Sequence, residues 1–166
     1  MLLLLFHVGE NLYAIDTEKV IEIIPMVLLR GIHPAPDYLA GVFNYRGSIV
    51  PVIDLCHLIR GESCQVCYST RVILVNYSVN SEQTANENGS QRSLGLIAER
   101  VTETLKVSHD QLKTTEQISS SPYLGELFID QKGIIQKINW EHLITDAHQT
   151  TLLIAGNGQA NGAEHN

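Results

Sequence analysis

The chain has 166 residues, 44% hydrophobic and 17% charged, a balance typical of one folded domain. Its net charge of −7, with eleven scattered Lys and Arg residues, argues against nucleic-acid binding, which requires a basic surface. No apolar run approaches the roughly 18 residues of a membrane span. The apolar N-terminal residues 2–6 lack the basic region and the cleavage site of a signal peptide. We therefore expect a cytoplasmic protein without membrane insertion.

Short apolar runs separated by turn residues predict a mostly β protein, because long helical periodicity is missing from the sequence. The ten predicted strands cover residues 2–8, 12–15, 21–24, 41–45, 49–53, 71–76, 94–98, 101–107, 124–129 and 133–138. Strands of this composition and spacing favour a barrel or a sandwich over a parallel sheet. Two hairpin turns are predicted, at Arg46-Gly47-Ser48 and at residues 130–133.

Helical signals in the sequence are brief. Asp16, Asp54 and Asn139 each precede a short segment that they can cap at its N-terminus, and such short helices need packing to form. Residues 78–93 lack core-forming side chains and predict an exposed flexible loop, and residues 155–166 predict a disordered tail. The starting Met and this polar tail favour a stand-alone chain whose folded domain covers residues 1–154.

Three cysteines lie close together in the sequence, with a Cys-x-x-Cys spacing between the second and third. A zinc site usually has four ligands, and this segment offers four candidates: Cys56, Cys64, Cys67 and His57. A redox Cys-x-x-Cys motif normally follows a strand in a βαβ context, which the pattern here does not predict. The alternative is that Cys56 is a small packing residue and that Cys64 and Cys67 are surface thiols.

Residues that commonly serve catalysis are numerous but do not form a recognisable motif. Seven His residues are scattered, and no Gly-x-Ser-x-Gly elbow or comparable constellation surrounds them. Asp16 and Asp54 are better explained as helix caps than as catalytic acids. We therefore expect no enzyme activity, no cofactor and no bound metal.

Residues 40–55, with the sequence AGVFNYRGSIVPVIDL, resemble the signature of CheW-like domains. In that family an apolar strand ends in Asn-Leu-Arg-Gly, turns, and returns as a strand containing Pro-Val-Ile-Asp-Leu. Flanking segments are similar to the family in the same order, and the resemblance covers residues 2–146. It implies one CheW-like domain built from two intertwined five-stranded SH3-like β-barrels. The first subdomain would take residues 9–69, and the second residues 1–8 plus 70–146.

The resemblance also implies a function. CheW-like proteins are non-catalytic adaptors that couple the cytoplasmic tip of a chemoreceptor to the regulatory domain of a CheA-type histidine kinase, at receptor arrays on the inner face of the membrane. The family motifs place receptor- or kinase-binding residues at Val20, Gly41, Arg46 and Val101, and structural turn residues at Asn44 and Gly47. Arg46 is the strongest candidate, because its forked guanidinium suits carboxylates and helix carbonyls. Its alternative role is an internal salt bridge or turn cap, while the glycine and the two valines also suit purely structural roles.

The chain departs from the family pattern at several positions. Tyr45 stands where the family usually has Leu, Cys56 where it often has Arg, and Glu99 where it usually has Asp. These departures suit a divergent paralogue of a pilus-motility or phototaxis system. A second hypothesis is a thiol- or metal-responsive regulator on the same fold, which would use Cys56, Cys64 and Cys67.

Overall fold

The structure is a computed structural model that describes residues 1–79, 90–112 and 120–144. Within these residues the chain is mostly β, as predicted. The strands are β1 (Leu2–Val8), β2 (Asn11–Asp16), β3 (Val20–Pro25), β4 (Leu39–Tyr45), β5 (Ser48–Asp54), β6 (Arg71–Val79), β7 (Ser90–Lys106), β8 (Leu124–Asp130) and β9 (Gly133–Ile138). The helices are α1 (Leu55–Arg60), α2 (His109–Leu112) and two 3₁₀ turns, Thr17–Lys19 and Trp140–Ile144. In this part of the chain no helix has the length and apolar character needed to cross a membrane.

Strand β7 has 17 residues and takes part in both halves of the sheet. Its first part pairs with β6 in antiparallel and with β5 in parallel orientation, and its second part pairs with β1 in antiparallel orientation. Between the two parts, Arg100 has a φ of 48° and the pairing with β1 shifts register. The sequence predicted two strands here, 94–98 and 101–107. They form one strand because the backbone bends at Arg100 without ending its hydrogen-bonded pairing.

The strand pairings form two groups of five that share β7. One group has the order β4-β5-β7-β6-β3, and the other has the order β7-β1-β2-β9-β8. Closure of each group into an SH3-like barrel stays a prediction. The predicted subdomains, 9–69 and 1–8 plus 70–146, differ from this grouping because β2 pairs with β1 and β6 pairs with β3. As a division into folding units they too stay a prediction.

Strand β1 is buried on both faces, which explains the apolar run at the N-terminus. Its side chains alternate between two apolar clusters, because successive residues of a strand point to opposite faces. Leu4, Phe6 and Val8 join the larger cluster, which contains residues from both groups of strands. Leu3 and Leu5 join a smaller cluster with residues of β2, β8 and β9. Burial of each side chain contributes roughly 1.5–3 kcal/mol, so this segment is a central part of the core.

Two of the three predicted helix caps are present, and all three short helices lie where the sequence predicts them. Asp16 accepts a hydrogen bond from the Glu18 amide at 3.0 Å, and Asp54 accepts one from the His57 amide at 3.1 Å. Asn139 directly precedes the second 3₁₀ turn. These three short helices are confirmed, whereas α2 was not predicted because its four residues carry no distinct periodic signal.

The predicted loop over residues 78–93 is too long at both ends. Strands β6 and β7 continue into it, and Ser78 is the Cα partner of Gln91 in their antiparallel ladder. The sequence did not reveal this pairing because polar side chains on an exposed hairpin give no hydrophobic pattern. Residues 80–89 and the predicted disordered tail 155–166 lie outside the described residues.

Gly41 in β4 lies against the backbone of the segment that precedes the strand. Its φ is +146°, and a Cβ atom at this position would lie 2.5 Å from the carbonyl oxygen of Arg30. That carbonyl accepts a hydrogen bond from the Val42 amide at 2.9 Å, and the Arg30 amide donates to the Val42 carbonyl at 2.8 Å. The absence of a side chain at Gly41 therefore permits this bridge.

We predict that Gly41→Ala lowers the free energy of unfolding by about 2–4 kcal/mol, because the methyl group adds a backbone clash to the strain of a positive φ. Gly133→Ala is the matched control. Gly133 has a φ of +115°, but among the described residues no heavy atom beyond its own chain neighbours lies within 4 Å of the position that the added methyl group would take, so we expect it to lose only about 1–2 kcal/mol. Urea unfolding of the two variants measures the difference, and equal losses would contradict a steric role for Gly41.

Candidate functional site

A groove of about 850 Å³ lies between β3 and β4, the two edge strands of the first group. Ile24 of β3 and Phe43 and Tyr45 of β4 line it, together with Leu28 and Leu29 of the connecting segment. Two strands at opposite ends of a five-stranded order can line one groove only if the sheet curls strongly. Leu28 is 97% exposed, so the groove offers apolar surface to a partner.

Arg46 lies at the tip of the hairpin between β4 and β5. Tyr45 and Ser48 are Cα partners, which leaves Arg46 and Gly47 as a two-residue turn. Their φ angles are 51° and 84°, and a type I′ turn requires positive values at both positions. The Gly47 amide donates a hydrogen bond to Asn44 Oδ1 at 2.8 Å, which fixes the turn. The turn projects the Arg46 side chain into solvent, where it is 77% exposed.

Arg46 belongs to a small polar cluster at the rim of the groove, formed with Glu22 and Tyr45. The Arg46 Nη2 atom lies 3.6 Å from Glu22 Oε2. The Tyr45 hydroxyl donates a hydrogen bond to the same carboxylate oxygen. The guanidinium carbon of Arg46 lies 5.1 Å from the centre of the Tyr45 ring. The cluster therefore joins the two edge strands through their side chains.

The hydrogen bond to Glu22 raises the pKa of Tyr45 above its usual value of 10.0, with a smaller contribution from partial burial. The cause is that a carboxylate acceptor stabilises the neutral, hydrogen-donating phenol and disfavours the phenolate. Tyr45 therefore remains a donor to Glu22 throughout the physiological pH range.

The other predicted binding residues lie in the apolar packing rather than in this polar cluster. Val20 begins β3, is the Cα partner of Val75 and is half-buried against the larger apolar cluster. Val101 is 8% exposed, and its amide donates to the Ser69 carbonyl at 3.0 Å. Gly41 is buried in β4. Their roles in binding stay predictions, as does that of Arg46. Sequence reasoning missed Glu22, whose only signal is a charged residue in an otherwise apolar strand.

The cysteines are arranged differently from the expectation of two surface thiols. Cys56 and Cys64 form a disulfide, with their Cα atoms 5.1 Å apart, and both side chains are buried. Cys67 is an exposed free thiol. The interpretation of Cys64 as a surface residue was wrong because the Asp54 carboxylate draws the Cys64 amide inward, accepting its hydrogen bond at 3.0 Å.

The surroundings of this disulfide also limit metal binding. Potential ligand atoms of Asp54, Cys56 and Cys64 lie within 4.8 Å of one another. Sulfur atoms joined in a disulfide offer no thiolate, which is the form that binds zinc. Glu99, 3.2 Å from the Cys56 sulfur, pairs with Arg60 at 3.6 Å. The Asp54 carboxylate thus caps α1, and the Glu99 carboxylate pairs with Arg60. With the disulfide formed, the group of Asp54, Cys56 and Cys64 has a structural role.

Comparison with known proteins identifies a family and several relatives of this chain. The CheW-like domain family matches residues 2–148. The chain is 29% identical to the chemotaxis protein CheW of Treponema pallidum (strain Nichols) over 152 residues, which cover 89% of this chain and 79% of the relative. It is 30% identical to the chemotaxis protein CheW of Klebsiella aerogenes over 132 residues, covering 74% and 72%. The crystal structure of the scaffolding protein TtCheW from Thermoanaerobacter tengcongensis is similar in fold, with a TM-score of 0.72, 21% identity and 89% coverage of both chains.

We predict that Cys67 alone reacts rapidly with iodoacetamide in the unreduced protein. Hydrogen bonds with Ser69, and secondarily with Thr70, lower the pKa of Cys67 to about 7. The thiolate is the nucleophile, so the alkylation rate should rise with pH. It should reach half of its maximum near pH 7 and level off at higher pH. Ser69→Ala should shift this midpoint upward. Mass spectrometry counts the modified sites, and rapid labelling of Cys56 or Cys64 would contradict the disulfide.

Proposed function

This chain belongs to the CheW-like family, and from that membership we propose that it is a non-catalytic adaptor that couples chemoreceptors to a CheA-type histidine kinase in chemotaxis or motility signalling. The observation that carries the proposal is the family match over residues 2–148 of the 166-residue chain. The adaptor would bind the regulatory domain of the kinase and the cytoplasmic tip of the receptor. With these partners it would act in the cytoplasm, at receptor arrays.

The groove between β3 and β4 supports the proposal through its chemistry. Exposed apolar residues such as Leu28 supply contact area, and Arg46 adds an exposed cation at the rim. Protein interfaces commonly combine an apolar centre with a few polar anchors, among which arginine is frequent. A helical partner with a carboxylate near its docking face would match this arrangement.

The alternative of a thiol- or metal-responsive regulator is not favoured. The relatives found across most of the chain are chemotaxis proteins. Two of the three cysteines it would use, Cys56 and Cys64, are joined to each other in the core. Binding to signalling partners is therefore the function to test first.

We predict that Arg46→Ala weakens binding to a receptor-tip fragment by about tenfold, because a hydrogen bond to a charged group contributes about 1.5–3 kcal/mol. Calorimetry measures the dissociation constants of the wild type and the variant for the receptor fragment and for the kinase regulatory domain. Binding to the kinase domain should change little if the two partners use separate faces.

Lys106→Ala serves as the charge-matched control, because it removes an exposed cation from the part of β7 that pairs with β1. We expect it to leave both affinities within about twofold of wild type, since single exposed charges contribute little at a distance. If the wild-type protein binds neither fragment, the coupling function is wrong. If it binds both and Arg46→Ala has no effect on either, the adaptor function stands and the assignment of Arg46 fails.

A further inference from the structure

We propose that Asp54, Cys56 and Cys64 form a binding site for a divalent cation of the zinc class once the disulfide between the two cysteines is reduced. The site differs from the zinc hypothesis drawn from the sequence, because a carboxylate takes the place of Cys67 and His57. The proposal rests on the proposed adaptor function in one respect, the cytoplasmic location of the chain. Cytoplasmic proteins normally keep their cysteines reduced, so the reduced form of this pair would prevail there.

The three side chains place their ligand atoms close together. A carboxylate oxygen of Asp54 and the sulfur atoms of Cys56 and Cys64 lie within 4.8 Å of one another. Tetrahedral zinc, with bonds of about 2.3 Å to sulfur and about 2.0–2.2 Å to oxygen, separates its ligand atoms by roughly 3.5–3.8 Å. Reduction frees the two sulfur atoms to move apart to this spacing. A water molecule would complete the four-coordinate site.

The charge of Asp54 also favours a cation at this position. The side chain is buried, and its carboxylate accepts hydrogen bonds from the backbone amides of His57 and Cys64. Within the described residues no lysine, arginine or histidine forms an ion pair with it, whereas the buried Glu99 pairs with Arg60. A buried carboxylate is costly unless it is paired or coordinates a metal. A bound cation would therefore neutralise the charge of Asp54.

Reduction and cation binding are two separate steps. In the first step a cytoplasmic dithiol gives two electrons and two protons to the disulfide, which becomes two thiols while the dithiol becomes a disulfide. In the second step the cation binds both sulfur atoms as thiolates, and their two protons leave to the solvent. The cation brings two positive charges as the two protons leave, so the net charge of the buried group is unchanged.

The position of Cys64 gives the cation a route to the site. Cys64 lies in the segment between α1 and β6, where Ser63 and Gln65 on either side of it are exposed. A cation can therefore enter from the side of this surface segment. Once bound, it would hold the segment against α1, as the disulfide does in the structure. The cation would thus be structural.

The test is a titration of the full-length protein with cobalt(II), a probe for zinc sites whose thiolate complexes absorb in the near ultraviolet. The protein is reduced with a phosphine and kept free of oxygen. We expect the reduced protein to bind one equivalent of cobalt with thiolate-to-cobalt absorption, and zinc to abolish that absorption by displacing cobalt. The disulfide form should show no such absorption. This comparison uses the wild-type chain alone, so it does not depend on the folding of a variant.

Variants of the cysteines locate the site. Cys56→Ser and Cys64→Ser should each weaken cobalt binding by more than the roughly 10–100-fold that loss of an outer-shell partner costs, because each removes a direct ligand. Cys67→Ser is the matched control, since it removes a thiol of the same segment that lies outside the group of Asp54, Cys56 and Cys64. It should keep the affinity and the spectrum of wild type. Loss of binding in Cys67→Ser alone would overturn the site.

Asp54→Asn tests the carboxylate while keeping the helix cap, because asparagine caps helices as well as aspartate. We expect its cobalt affinity to fall by at least about tenfold, since a neutral amide replaces the charged ligand. Asp16→Asn is its control, because Asp16 is also an N-cap but lies outside the site. Unchanged affinity of Asp54→Asn would overturn the assignment of Asp54. Circular dichroism of the metal-free variants establishes that they are folded.

The failures of the two proposals are distinguishable. The titration contains no receptor or kinase fragment, so a failure of the adaptor function leaves its outcome unchanged. Reduced wild type that binds no cobalt, or binds it without thiolate absorption, would overturn the cation site and leave the adaptor function intact. Equal binding by the reduced and the disulfide forms would also overturn the site.

Discussion

Strand β7 forms hydrogen bonds with both groups of strands, and the whole sheet is organised around it. Its first part holds β5 and β6, and its second part holds β1, so neither group of strands is complete without it. The bend at Arg100 changes the direction of the strand between the two groups. In the first group, β7 is the central strand and β3 and β4 are the edges. The curl of this sheet brings the edges together, and the groove is the space between them.

This origin explains the chemistry of the groove. Edge strands carry backbone and side-chain groups that no neighbouring strand covers. Here the polar cluster of Glu22, Tyr45 and Arg46 joins the two edges, and the bridge between Arg30 and Val42 joins β4 to the segment that precedes it. The side chains that link the edges are thus also the exposed ones, and the same contacts hold the sheet and present a cation to a partner.

The sequence predicted the local features well, because they depend on local causes. Strand periods, the two hairpin turns and the three short helical turns follow from residues close together in the chain. The continuity of β7 was missed because Glu99 and Arg100 look like a polar break, and only pairing with β1 and β6 reveals one strand. The ordered ends of the 78–93 segment were missed for a similar reason.

Contacts within the candidate site were harder to predict, since they join distant residues. The motif marked Arg46, but nothing in the sequence placed Glu22, more than twenty residues earlier, at the Tyr45 hydroxyl. The Cys-x-x-Cys spacing drew attention to the wrong cysteine pair. The disulfide links Cys56 and Cys64 because the cap at Asp54 folds the segment after α1 back against the helix.

The departures from the family pattern have different physical consequences. Cys56 stands where the family often has arginine, which leaves the buried carboxylate of Glu99 in need of a cation. Arg60, four residues later and therefore on the same face of α1, lies 3.6 Å from that carboxylate. Arg60 therefore supplies the positive charge for Glu99, whose carboxylate also accepts a hydrogen bond from the Gln65 amide. This change is compensated inside the fold. Tyr45 is instead at the exposed rim beside Arg46, so its effect reaches the surface that a partner would contact.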